Sequence, residues 1–335
     1  MSKSRVSILI PLLGGVTSVS AGLLLGEFWI GVATEALIMT LFAMSFSLLY
    51  GHTGLLSFGQ AAYFGVGAYG FAISLVRFEL PFLLCIVIGI AAGTLWSFIT
   101  GYICVRLSGI YFAIMTVVVT QSTFYVIFQW YGFTGGDDGI QGLFPPGILS
   151  HSRVYYYVAL IVVSAVLFGY WKLLRSPFGL SLRCIRENML RTQFVGIDVQ
   201  RHRLKAFVIA GFFASIAGVF YVPLTRIVVP QMANWHSSGN AVFMGILGGP
   251  SQFSGPLMGA IVWVFLDAFV TGFTEHWSLI IGSIIFVTVF FMPGGLSGLL
   301  TASIIGVARK EKHRERKITK GEGLNGRDIA DTEPD

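Results

Sequence analysis

Long apolar runs follow one another along this chain with so little polar sequence between them that a water-soluble fold cannot cover them. They fall at about Ser7 to Gly26, Trp29 to Tyr50, Leu55 to Val76, Phe82 to Val105, Ile110 to Tyr131, Tyr155 to Leu174, Ala206 to Val229, Asn240 to Gly249, Ser254 to Thr274 and Trp277 to Leu300. Most approach the roughly 20 residues that a helix needs to cross about 30 Å of hydrocarbon. Asn240 to Gly249 is too short for that, and is predicted to be half of a broken span or a re-entrant piece. Composition agrees: 55% of the 335 residues are hydrophobic and only 11% are charged, with a mean hydropathy of +0.77, values foreign to a soluble domain. The expected fold is an all-α polytopic integral membrane protein with about 9–10 membrane segments, one of them short or broken.

The polar stretch from Lys172 to Lys205 interrupts the apolar pattern. It carries Lys172, Arg175, Arg183, Arg186, Arg191, Arg201, Arg203 and Lys205 against Glu187 and Asp198 alone. Lys and Arg concentrated beside membrane spans mark the cytoplasmic face. Lys3 and Arg5 place the N-terminus on that face too, and the crossings that follow return the chain there at Arg106 and again at the basic loop. The basic run Arg309 to Lys317 must also lie inside, so the short segment near Asn240 has to help complete a crossing. The apolar run after Lys3 and Arg5 lacks a small-x-small cleavage site and reads as a first span rather than a removable leader. Both termini are therefore expected in the cytoplasm of a cell-membrane protein. Within the loop, Ser176-Pro177 opens a stretch in which Phe178, Leu182 and Ile185 recur at spacings of four and three, predicting a short amphipathic helix on the cytoplasmic surface. Residues 1–305 form the predicted membrane domain, with 176–204 as a cytoplasmic loop inside it, and 306–335 form a basic, then acidic tail predicted to be disordered.

Polar groups inside the spans are the candidates for chemistry. The glycine-rich stretch from Gly51 to Gly70 permits close helix approach or a break in a helix. Within it Ser57 and Gln60, three residues apart, offer a hydroxyl and an amide that lipid cannot satisfy, so they either bond neighbouring helices or line a polar pathway. Thr116 and Gln121 are further candidates, downstream of Arg106 to Ile110. Glu35 and Asp267 stand within apolar runs, where a carboxylate serves either function or a hydrogen bond between packed helices. Asp137 and Asp138 sit in a glycine-rich loop with too few oxygen donors for a calcium site. Cys85, Cys104 and Cys184 are scattered, with no metal-ligand spacing, and no metal is expected. The net charge of +6 fits orientation and contact with anionic lipid rather than nucleic acid.

These residues carry a family resemblance. Gly51 to Gly70, Arg106 to Thr116, Thr134-Gly135-Gly136 with Asp138-Gly139, Ser176-Pro177-Phe178-Gly179 through Glu187-Asn188, Gly196-Ile197, Ala217-Gly218, Gly248-Gly249, Gly255-Pro256 and Pro293-x-Gly295-Leu296 follow the order of the LivM-type permeases of branched-chain amino-acid ABC importers. The chain departs from that pattern at Asn240 and at Pro250 to Phe253. The resemblance spans roughly Trp29 to Leu300. It implies a translocation subunit working with a sister permease, two cytoplasmic ATPases and an extracytoplasmic binding protein. It also implies that the loop from Ser176 to Gly196 is a coupling helix docking on an ATPase, with Phe178, Arg183, Arg186, Glu187, Asn188 and Gly196 as its characteristic positions. No GxxxxGK[ST] loop occurs, so ATP is expected on the partner subunits and no cofactor in this chain. The cargo implied is a branched-chain amino acid, with urea or another small polar solute as the alternative. An ion-coupled secondary transporter, with Glu35 or Asp267 carrying protons, is the rival class; an enzyme is disfavoured because no HExxH or GxSxG pattern is present.

Overall fold

The structure is a computed structural model that describes residues 26–271, 279–280, 282–284, 286 and 294–298. The first predicted span, most of the last one and the charged tail lie outside the described residues. The remainder is helical. In a bilayer every backbone polar group must find its partner inside the protein, and a helix does this within one segment. Helix α1 (Glu27–Ser47) extends into a single π-helical turn at Leu48–Thr53. Its buried hydroxyls fold back onto the helix: Thr34 donates to the Ile30 carbonyl at 2.7 Å, Thr40 to Ala36 at 2.8 Å and Ser45 to Phe42 at 2.6 Å. That is how polar side chains are accommodated in an apolar segment.

Gly54 then adopts a left-handed conformation, at φ 73°, which a side-chain-bearing residue resists, and the helix stops. The predicted span from Leu55 begins instead as non-helical chain, and α2 runs only over Gln60–Val76. Helices α3 (Phe82–Cys104) and α4 (Ile110–Gln129) follow, then a short turn α5 (Tyr131–Thr134), strand β1 (Ile140–Gln141) and α6 (Ser152–Arg175). The basic loop contains α7 (Pro177–Glu187) and α8 (Met189–Phe194), and the long α9 (Val199–Thr225) leads back into the bundle. Among the described residues, α1 with its π turn, α3, α4, α6 and α9 are long and apolar enough to cross a membrane by themselves. Helices α2, α3 and α9 pack against one another, and α1 lies between α9, α6 and the later α11 (Gly255–Val270).

A second interruption follows α9. Arg226 turns left-handed at φ 61°, β2 (Ile227–Val228) pairs antiparallel with β1 through Ile140 and Val228, and a tight turn at Pro230–Ala233 leads to Asn234, whose side chain caps α10 (Trp235–Gly248). The short segment predicted near Asn240 is this 14-residue helix. At about 1.5 Å per residue it reaches only about 21 Å, less than a bilayer core. The two interruptions meet inside the bundle. The Ala61 amide, in the first turn of α2, donates to Ser238 Oγ at 2.9 Å, and Gly65 lies so close to Ala233 that a Cβ there would sit 2.5 Å from the Ala233 Cβ. Without a hydrophobic driving force between helices in lipid, such close approach of small residues is what holds them together.

Gly65→Val is therefore expected to lower the stability of the purified protein by roughly 1–3 kcal/mol through overpacking. Thermal unfolding in detergent measures this. Gly65→Val with wild-type stability would mean that α2 and the Pro230–Ala233 turn are not in contact.

Candidate functional site

The non-helical chain between Gly54 and Gly59 runs from the surface helix into the bundle, and hydroxyls of α4 and of its own Ser57 serve its inner end. The Phe58 amide donates to Thr116 Oγ1 at 3.0 Å, and Thr120 returns a bond to the Phe58 carbonyl at 2.9 Å. Both threonines are on α4, four apart, and thus on one face. Ser57 Oγ accepts from the Gly59 amide at 3.1 Å and donates to Gln60 Oε1 at 3.0 Å, while Gln60 Nε2 reaches the Ser45 carbonyl at 3.4 Å. The structure thus brings Ser57, Gln60 and Thr116 into one network, all of them buried. Ser57 precedes α2, whose first residue is Gln60, so the two meet through a side-chain bond across the helix start. Thr120 was missed by sequence reasoning, although its spacing from Thr116 was visible. Gln121 stands apart, half-buried, with its Oε1 unpartnered among the described residues.

Glu35 and Asp267 come together at a cavity of about 360 Å³. Glu35 is on α1 and Asp267 on α11, and Tyr221 of α9 donates to Glu35 Oε1 at 3.3 Å. Asn240 and Gln231 add amides; Phe42, Phe64 and Trp263 supply apolar wall. Among the described lining residues no Lys or Arg is present, so the two carboxylates face the cavity without a fixed counter-ion. Tyr221 lies near the end of the 27-residue α9, some 33 Å along the axis from its first residue at about 1.5 Å per residue, so the cavity opens in the half of the bundle distant from α7. Its position beside the second interruption follows from α10, which starts partway through the bundle and leaves Ser237 and Asn240 facing α1. Nearby, Asp137 accepts from Gln231 Nε2 at 3.2 Å and fastens loop to loop, while Asp138 accepts from the Tyr131 hydroxyl at 2.9 Å within its own connection; the Asp138 carboxylate also raises the Tyr131 phenol above its usual range.

At the other end of the bundle, α7 forms for local reasons. Ser176 caps it by accepting from the Gly179 amide at 3.3 Å, and Pro177 occupies the first helical position, where its missing N–H is harmless. Leu182 and Ile185 are buried, and Phe178 stacks on His202 of α9 with ring centroids 5.7 Å apart. Asn188 ends α7 and caps α8 by accepting from the Arg191 amide at 2.9 Å. Gly196 follows α8, not α7, at φ 90°. Arg183 lies at a cavity beneath α7, and Glu187 is exposed. Arg186, although exposed, reaches across to the bundle: its Nη1 donates to the Gly51 carbonyl in the π turn and to Ser251 Oγ at 3.0 Å in the corner between α10 and α11. One side chain of the surface helix thus ties together the end of α1 and the α10–α11 corner, a link invisible in the sequence because it joins residues 135 and 65 positions apart.

A bundle with interrupted spans, an internal cavity and an amphipathic surface helix fastened to the π turn and to the α10–α11 corner is the architecture of a solute permease. The chain belongs to the family described as branched-chain amino acid transport system / permease component, whose model matches residues 28–290. It is 26% identical over 294 residues, 80% of this chain and 69% of the relative, to the high-affinity branched-chain amino acid transport system permease protein LivM of Escherichia coli K12. It is 30% identical over 158 residues, 43% of this chain and 48% of the relative, to the probable branched-chain amino acid transport permease protein LivH of Methanocaldococcus jannaschii. A ribose import permease protein, RbsC, of Haemophilus influenzae is 26% identical over 210 residues, 58% of this chain and 63% of the relative. No solved structure matches the chain. The protein is a multi-pass membrane permease subunit of an ABC importer.

Losing the charged hydrogen bonds of Arg186 is expected to lower stability by roughly 1–3 kcal/mol in Arg186→Ala, whereas Glu187→Ala, one residue along on the exposed side, should stay within about 0.5 kcal/mol of wild type. Thermal unfolding of the two variants side by side makes the comparison. Equal behaviour of both would contradict the inward bridge.

Proposed function

We propose that this permease carries branched-chain amino acids, and that the solute passes the Glu35–Asp267 cavity. The observation that carries the reading is the pairing, in one cavity, of two carboxylates that meet no Lys or Arg among the described lining residues with aromatic and aliphatic wall. An aliphatic amino acid presents an ammonium group for the former and a branched side chain for the latter. Urea offers no cation and would leave the apolar wall unused. Membership of a branched-chain amino acid permease family and likeness to LivM and LivH support the same cargo.

In this reading the Ser57–Gln60–Thr116 network holds the broken span in place, and the solute's polar contacts are made by Glu35, Tyr221, Asn240 and Asp267. The chain has no GxxxxGK[ST] loop, so ATP is bound by two cytoplasmic ATPase subunits, one docking on α7. A sister permease completes the pathway and an extracytoplasmic binding protein delivers the solute. The basic loop faces the cytoplasm by its charge, which supports a cavity in the outer half of the membrane, and the basic residues Lys3, Arg5 and Arg309 to Lys317 support termini on the same inner side. Motion of α7 driven by the ATPases reaches the bundle through Arg186, which bonds the π turn after α1 and the corner after α10 together, so that the pathway switches between two packed arrangements.

Uptake by the complete complex reconstituted in vesicles tests this. Leucine, isoleucine and valine should be transported and urea not. Glu35→Gln and Asp267→Asn should each reduce leucine uptake about tenfold, the effect of losing ~1.4 kcal/mol of attraction for the ammonium group, while the complex still assembles. Transport of urea alone would overturn the cargo; full leucine uptake by both variants would overturn the cavity as its path.

A further inference from the structure

The cavity beneath α7 has no role in the solute path, and its chemistry is the reverse of the acidic one. It measures about 630 Å³ and lies between the π turn, the end of α6, α7 and the α10–α11 corner. Arg175, Arg183 and His52 line it, and no carboxylate does among the described residues. The ion pair found among the described residues joins Arg201 to Asp198, so neither of these guanidinium groups is neutralised. His52 is only 2% exposed, and its Nε2 has no hydrogen-bond partner; the Trp171 indole N–H, also in the wall, has none either. The His52 and Trp171 nitrogens are closed off behind the wall, so the groups offered to this space are the two guanidinium groups of Arg175 and Arg183, neither facing a carboxylate among the described lining residues, and they suit an anion with several acceptor oxygens.

The surroundings indicate where the anion comes from. Ile161, Phe168, Trp171 and Arg175 recur at spacings of seven, three and four along one face of α6, so they form a single stripe. Ile161 and Phe168 are 68% and 66% exposed on an apolar helix, which in a membrane is a lipid-facing surface. Phe168 stacks on Trp171 at 5.9 Å, and the Arg175 guanidinium lies over the Trp171 ring at 4.2 Å. The stripe therefore runs from acyl-chain level through an interfacial aromatic to a cation at the cavity wall, the order of groups along a phospholipid. Leu180, 62% exposed on α7, extends the apolar rim on the other side. A free phosphate would use the guanidinium groups and leave the stripe without a function. We propose that this cavity holds the phosphate of an anionic membrane lipid whose chains lie along α6, so that the lipid packs against α7 and the π turn together.

The test uses the full chain purified in detergent, with retained lipid read by native mass spectrometry and protection read by thermal unfolding. Phosphatidylglycerol, phosphatidylethanolamine and inorganic phosphate are the probes. Phosphatidylglycerol should bind more tightly and stabilise more than phosphatidylethanolamine, and inorganic phosphate should stabilise little. The doubly substituted Arg175→Gln, Arg183→Gln protein should lose roughly thirtyfold in phosphatidylglycerol affinity, from about fivefold per cation near a charged lipid surface. Arg175→Lys with Arg183→Lys should keep most of it, which separates a lost charge from a damaged fold. An anionic preference that survives in the glutamine variant would overturn the proposal, since the other basic segments would then be its source. Equal protection by inorganic phosphate, dependent on the same arginines, would overturn the lipid as the occupant.

Discussion

Hydrocarbon offers no partner to a backbone amide, so each place where this chain leaves the helix at membrane depth has to be compensated by a group from elsewhere in the bundle. The inner end of the segment from Gly54 to Gly59 depends on Thr116 and Thr120 of α4 and on its own Ser57, and the first turn of α2 depends on Ser238 of α10. Because Ser238 belongs to the second interrupted span, the two interruptions cannot be arranged independently. The close contact of Gly65 with Ala233 is the packing counterpart of the same requirement. The position of α10, the room left beside α1 and hence the acidic cavity all follow from it.

The surface helix acts on this arrangement through few contacts. Leu182 and Ile185 seat α7 on the bundle, but the directed link is Arg186, which holds a carbonyl of the π turn and a hydroxyl of the α10–α11 corner at once. The π turn is itself a deviation from regular helix, the kind that recurs at functional points in helices. A displacement of α7 would therefore be felt at the cytoplasmic ends of α1 and of α10 together, which is how a docked ATPase could act on a cavity at the far side of the membrane under the proposed function.

Much of the architecture was legible because it is written in local periodicity. Apolar runs of about 20 residues have one stable form in a bilayer, and the Phe178, Leu182 and Ile185 spacing behind Ser176-Pro177 is a helix signal contained within a dozen residues. The shortness of the run near Asn240 likewise exposed the half-length helix. What was not legible is whatever depends on distant pairing. Ser57 and Gln60 looked alike as pathway or packing groups, because the threonines that complete their network come from α4. Glu35 and Asp267 were conspicuous as lone carboxylates, yet nothing in their neighbourhoods could say that they share a cavity with Tyr221 of a third helix. The start of α2 was displaced from Leu55 to Gln60 because the left-handed Gly54 and the hydroxyl contacts of α4 override an apolar pattern that continues unbroken through the interruption.

Amide hydrogen exchange in lipid nanodiscs tests directly whether hydroxyl groups seal the broken span. In the wild-type protein the Phe58 and Ala61 amides should exchange as slowly as those inside α2, although Phe58 is outside any helix. Thr116→Val should speed exchange at Phe58 selectively and leave the interior of α2 protected. Rapid exchange at Phe58 in the wild type, or no change on removing the Thr116 hydroxyl, would contradict the seal on which the rest of the arrangement depends.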